Sequence, residues 1–115
     1  MSKKIIYVGL DISESEFLNK VNSGDLVNFM FIAKWCLPAI ALKATVIELY
    51  EGNSLSGDLY IIDTDDYPDL PVMFNVDRLP AIVRSENDTV TKFSSKELKK
   101  IYGARGMSDI QNFLK

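Results

Sequence analysis

The run Leu26–Ile32, reading LVNFMFI, is apolar at every place except Asn28. Without polar alternation it cannot rest as a strand with one face in water. It reads instead as a central strand covered on both sides. A chain built around such a strand must supply helices to both faces of a sheet.

The flanking patterns supply them. Ile5–Leu10 is a short apolar run with β-branched residues and reads as a first strand. Ser13 and Ser15 are both candidate helix caps, and Phe17, Leu18 and Val21 then share one helical face that ends near residues 22–24. From Leu37 to Glu51 the period changes to that of a helix. Ile40, Ala44 and Ile47 form one stripe, Ala41, Val46, Leu49 and Tyr50 widen it, and Lys43, Glu48 and Glu51 face water. Residues 52–57, GNSLSG, stop that helix, and residues 58–66 give a strand with an acidic exit. Residues 67–76 hold a short helix carrying Leu70 and Phe74, with Val76 leading out. Pro80 opens the next strand, which turns at Asn87 and Asp88. Beyond it, residues 89–93 and residues 99–106 are alternative partner strands. Ser108 is the expected cap of a last helix that buries Ile110, Phe113 and Leu114. The expectation is an α/β fold in one domain, residues 1–115, with a central mixed sheet and helices on both faces.

Composition narrows the function classes. Thirteen basic and sixteen acidic residues give a net charge of -3, with no long basic run. Neither nucleic acid nor an anionic membrane is therefore an expected partner. No window is long and apolar enough for a membrane span. There are no histidines, which removes the usual general base and the commonest transition-metal ligand. Metal and cofactor sites are not expected. Asp63, Asp65, Asp66 and Asp69 form an acidic cluster, but it lacks the glycine turn and distal glutamate of a calcium loop. It reads as a solvated strand exit. A single cysteine excludes an internal disulfide. The N-terminal apolar stretch is too short for a signal peptide, so a cytoplasmic monomer is expected, a trimmed leader being the alternative.

That cysteine sits in the stretch WCLPAI, residues 35–40. Pro38 fits a helix only in its first turn, where its missing N–H is harmless. Cys36 therefore falls at or just before the helix start. A thiolate there meets unpaired backbone N–H groups and the positive end of the helix dipole, both of which favour the charged, nucleophilic form. Trp35 can shield one side of the sulfur and offer a flat surface to a docking peptide, and Lys34 adds nearby positive charge. The competing reading is a small buried hydrophobe, as free cysteines often are.

Taken with Pro80 downstream, these residues resemble the thioredoxin and protein disulfide isomerase superfamily. The family motif is a tryptophan followed by two cysteines two residues apart. Here Trp35, Cys36, Leu37 and Pro38 are followed by Ala39 where the second cysteine belongs. Pro80, preceded by Leu79, stands at the place of the family's cis-proline, opposite the active-site cysteine. The resemblance extends through the acidic residues at 63–68 to the tyrosine, glycine and arginine of residues 102–105. It implies a thioredoxin fold and a catalytic Cys36 surrounded by Trp35, Leu37, Pro38, Ala39, Leu79 and Pro80. It further implies that backbone beside Pro80 receives an extended substrate strand.

Three departures bear on function. Ala39 cannot resolve a mixed disulfide, so the two-thiol cycle is closed to this sequence. Release of a captured partner needs an outside thiol. Met30 stands where many thioredoxins bury an aspartate. Leu79 is also bulkier than the family's usual residue and narrows the groove, while Arg105 occupies a place from which the family tunes the second cysteine that is missing here. Three accounts of Ala39 are open. It belongs to a natural single-thiol protein, to an interaction module in which Cys36 is incidental, or to a two-cysteine enzyme whose second cysteine was replaced. The expected partners are disulfide- or thiol-bearing proteins and glutathione or another thiol reductant.

Overall fold

The computed structural model describes residues 5–23, 26–52, 58–85, 99–103 and 106–114. In chain order the elements are β1 (Ile5–Tyr7), α1 (Glu14–Asn22), β2 (Val27–Ile32), α2 (Leu37–Glu51), β3 (Leu59–Asp63), α3 (Asp69–Met73), β4 (Ala81–Ser85), β5 (Lys99–Tyr102) and α4 (Met107–Leu114). The strands form one mixed sheet in the order β1-β3-β2-β4-β5. β3 runs parallel to both β1 and β2, while β4 runs antiparallel to β2 and to β5. The fold class is the expected one.

The apolar run does become the middle strand. Its period of two sends alternate side chains into two separate cores. Phe29 and Phe31 enter one, with Phe17 of α1, Leu70 of α3 and Phe74; Met30 enters the other, with Leu42, Val46 and Leu49 of α2 and Ile110 of α4. Phe17 meets Phe29 edge to face, with ring centroids 5.1 Å apart, the arrangement that aromatic quadrupoles favour. α1 is set by a capping box: the Glu16 N–H donates to the Ser13 hydroxyl, and the Ser13 N–H donates to the Glu16 carboxylate. Of the two candidate caps, Ser13 is the one used. No helix among the described residues is long and apolar enough to cross a membrane.

Three details differ from the sequence reading, and one alternative is decided. β1 ends at Tyr7 rather than Leu10, because Gly9 takes a φ of 99° and turns the chain, leaving Leu10 exposed. α2 buries Ala39, Leu42, Val46, Leu49 and Tyr50, so the inward stripe is not Ile40, Ala44 and Ile47. Apolar residues lie nearly all around this helix, and contact with the sheet rather than periodicity selects the face. Ser108 lies inside α4, one residue after its start, and the Gly106 carbonyl accepts the N–H of Ile110. Of the two alternative partner strands, residues 99–102 form β5, whereas residues 89–93 lie outside the described residues, as do Asn87, Asp88 and Arg105.

Candidate functional site: the thiol corner

The site lies where β2 and β3, running parallel, both end. The chain leaves β2 at Ile32 and turns tightly, with the Cys36 N–H donating to the Ala33 carbonyl at 3.1 Å. Cys36 is the residue directly ahead of α2, with φ −100° and ψ 102°. Its carbonyl accepts from the Ala39 and Ile40 N–H groups at 3.0 and 3.1 Å, which starts the helix. Its side chain makes no capping hydrogen bond, and it is the free cysteine of the chain, half-buried rather than sealed. Pro38 occupies the first turn, as its ring requires.

Around the thiol, Trp35 and Leu37 are 69% and 75% exposed and Ile40 is 49% exposed. These are large apolar surfaces for a soluble face, and the last is the residue that the sequence period placed in the core. Ala39 is the opposite case. It is fully buried, so the position where a second sulfur would stand points into the core beneath the helix. Met30 is buried on the same side of the sheet, among Leu42, Val46, Ile61 and Ile82.

β4 brings Leu79 and Pro80 to this end of the sheet. Ala81 pairs with Phe31 of β2 on one side and with Tyr102 of β5 on the other. Pro80 is buried, Leu79 half-buried, and the peptide bond between them is cis. The Pro80 carbonyl accepts the Gly103 N–H at 2.9 Å, so the β5 exit is tied to the same corner.

The acidic exit of β3 has structural work that sequence inspection did not find. The Trp35 indole N–H donates to an Asp65 carboxylate oxygen at 3.1 Å, which fixes the ring beside the thiol. Asp63 in turn accepts the Asp65 N–H at 2.9 Å and pairs with Lys34 at 3.4 Å. The cluster was visible in the sequence, but its partner lies 30 residues away. No group of three or more His, Cys, Asp or Glu among the described residues is arranged to hold a metal ion.

Beyond Lys34, an open cavity of about 580 Å³ is lined by Tyr7, Lys34, Lys43, Ile61, Asp63 and Tyr67, among others. The Lys43 ammonium stands 5.0 Å from the centre of the Tyr7 ring. Gly9 forms part of the wall, and a methyl group there would strike the Tyr67 hydroxyl.

The order of strands, the helices on both faces and the Trp-Cys-x-Pro corner at the end of the sheet where a proline-led strand begins define a thioredoxin-like protein. The sequence profile of the family described as Thioredoxin matches residues 8–115, and the chain belongs to that family. No curated protein matches it by sequence. Solved structures match at low identity over nearly the whole chain. A chloroplastic thioredoxin z is 23% identical with a TM-score of 0.72, covering 99% of this chain and 94% of its own. A mutant thioredoxin from Halobacterium salinarum NRC-1 is 20% identical with a TM-score of 0.76, covering 99% and 91%. Thioredoxin NaTrxh from Nicotiana alata is 19% identical with a TM-score of 0.74, covering 98% and 91%. This chain differs from the family motif in its single cysteine, and the two-thiol cycle is closed to it.

Proposed function

We propose that the chain carries out thiol–disulfide exchange through Cys36 alone. One observation carries this reading: the cysteine stands directly ahead of α2, part-exposed, with a side chain that is not spent on capping the helix. The thiolate, not the thiol, is the nucleophile in such exchange. That thiolate attacks one sulfur of a partner disulfide. A Cys36–partner disulfide forms, and the partner's other sulfur leaves as a thiolate. Ala39 offers no second attack, so an incoming thiolate must take the partner's sulfur and release Cys36. A second cysteine of the partner or a small thiol such as glutathione fills that role. Free-thiol chemistry of this kind suits a reducing compartment, and a cytoplasmic setting is part of the proposal.

The test is adduct formation. Reduced protein mixed with a disulfide-bearing protein should accumulate a mixed disulfide on non-reducing gels. The adduct should be absent in Cys36→Ser and should dissolve on addition of glutathione. If Cys36 forms no adduct while an unstructured cysteine peptide does, the exchange reading fails.

The exposure of Trp35, Leu37 and Ile40 favours a second reading, a redox-inert module that binds partners with the same surface. Under that reading Cys36→Ser leaves partner binding unchanged, whereas exchange chemistry predicts that capture is lost.

A further inference from the structure

Resting on the exchange reading, we propose that the surface beside Cys36 selects its partners by charge. Arg78, held against Tyr102, receives a carboxylate side chain next to the partner's cysteine. Arg78 directly precedes Leu79–Pro80 and therefore stands at the same end of the sheet as the thiol, on the side of β4 and β5. Its guanidinium carbon lies 4.9 Å from the centre of the Tyr102 ring, a stacked position that limits the freedom of the side chain. Its Nε donates to Asp77 at 3.4 Å, but both side chains are largely exposed, at 67% and 76%, so water screens the pair heavily. The terminal guanidinium nitrogens engage no acceptor among the described residues. They leave a planar fork of donors, the geometry that a carboxylate accepts with both oxygens.

The neighbouring charges strengthen this placement. Lys100 shares a face of β5 with Tyr102, and its ammonium donates to the Asn75 carbonyl at 3.1 Å, just past α3. Arg78 and Lys100 thus outnumber Asp77 at this corner, on a chain whose net charge is -3. On the other side of the thiol, Lys34 pairs with Asp63 at 3.4 Å, and the exposed Asp65 and Asp66 leave that side acidic. Trp35, Leu37 and Ile40 offer apolar contact, and the Asp65 carboxylate that holds the indole is negative, so on this side an acidic flank meets repulsion. On the Arg78 side an acidic residue flanking the partner's cysteine meets attraction, and a basic one meets repulsion.

Three short peptides would test the idea, each with one cysteine linked to 2-nitro-5-thiobenzoate and flanked by Asp, Ser or Lys. Attack by the Cys36 thiolate on the peptide sulfur forms the Cys36–peptide disulfide and releases the coloured thiolate, which gives the rate. The Asp peptide should react about 3–10-fold faster than the Lys peptide at low salt, a preference that collapses at high salt. Arg78→Gln should bring that ratio close to one. Asp77→Asn should raise the ratio. An unaltered ratio in Arg78→Gln would overturn the charge proposal but leave the exchange reading standing. If the Ser peptide fails to react with the native chain, it is the exchange reading that falls. Charge selection is then read from binding of the cysteine-free acidic and basic peptides, followed by the fluorescence of the single Trp35. Equal affinities there would end this proposal too.

Discussion

Among single residues, Asn28 is the exception inside the apolar strand, and it forms a buried polar contact. It is 1% exposed, and its amide nitrogen lies 3.3 Å from the Tyr50 hydroxyl of α2. Its carbonyl oxygen has no partner among the described residues. Burial pushes the Tyr50 phenol above its ordinary value of 10.0, outweighing the lowering by the Asn28 hydrogen bond and by Arg84. The consequence for stability has a definite sign. Below pH 10 the phenol is neutral in both states, so its contribution is fully present. Above that, the unfolded chain loses the proton first, the folded state binds more protons, and stability falls as pH rises through the folded value. Tyr50→Phe removes this alkaline loss but strands the Asn28 amide, at about 1–3 kcal/mol near neutrality. Urea midpoints should show the native chain more stable at pH 7, with the gap narrowing above pH 10. A gap that stays constant would contradict the assignment.

For the elements, α2 is where sequence pattern and structure diverge. Its boundaries were legible: Pro38 requires a helix start nearby, and the glycine at 52 ends it. Its buried face was not. A helix apolar on nearly every side gives periodicity nothing to distinguish, and the stripe it suggests takes in Ile40 and leaves out Leu42. The sheet decides, because the strand-to-helix turn through Ala33 and Cys36 fixes the angle at which α2 meets β2. Leu42→Ala should therefore cost about 2–5 kcal/mol, the usual range for a buried leucine. Ile40→Lys, on the exposed face, should change stability by less than about 0.5 kcal/mol. It should nonetheless weaken partner binding beside the thiol. Chemical denaturation of the two variants checks the faces, and comparable losses in both would mean that the inward stripe is the one periodicity suggested. α1 is the contrast, since its serine cap is a local signal that the sequence narrows to Ser13 or Ser15, and the reciprocal bond with Glu16 selects Ser13.

Over the whole molecule, the central strand, the two-sided cover and the thiol corner were legible, because each depends on residues close in sequence. Contacts that cross the chain were not. Trp35 reaching Asp65, Arg78 stacking on Tyr102 and Gly103 bonding to Pro80 depend on which strands become neighbours, and that order is set by the sheet. The same long-range assembly bears on what the missing sulfur means. Ala39 lies one helical turn from Cys36, where a rise of about 1.5 Å per residue brings α-carbons within the roughly 4.4–6.8 Å a disulfide spans. It is also fully buried, so a cysteine there would be shielded until Cys36 had captured a partner. Ala39→Cys should fold at a cost of no more than about 1–3 kcal/mol for the added sulfur. An internal thiol acts at an effective concentration near millimolar, so the Cys36 adduct should resolve before it accumulates. Reduction of a protein disulfide by dithiothreitol should then be accelerated by the variant and not by the native chain. If the variant oxidises to an internal disulfide yet leaves turnover unchanged, the surface around Cys36 has been reshaped for holding partners rather than for releasing them.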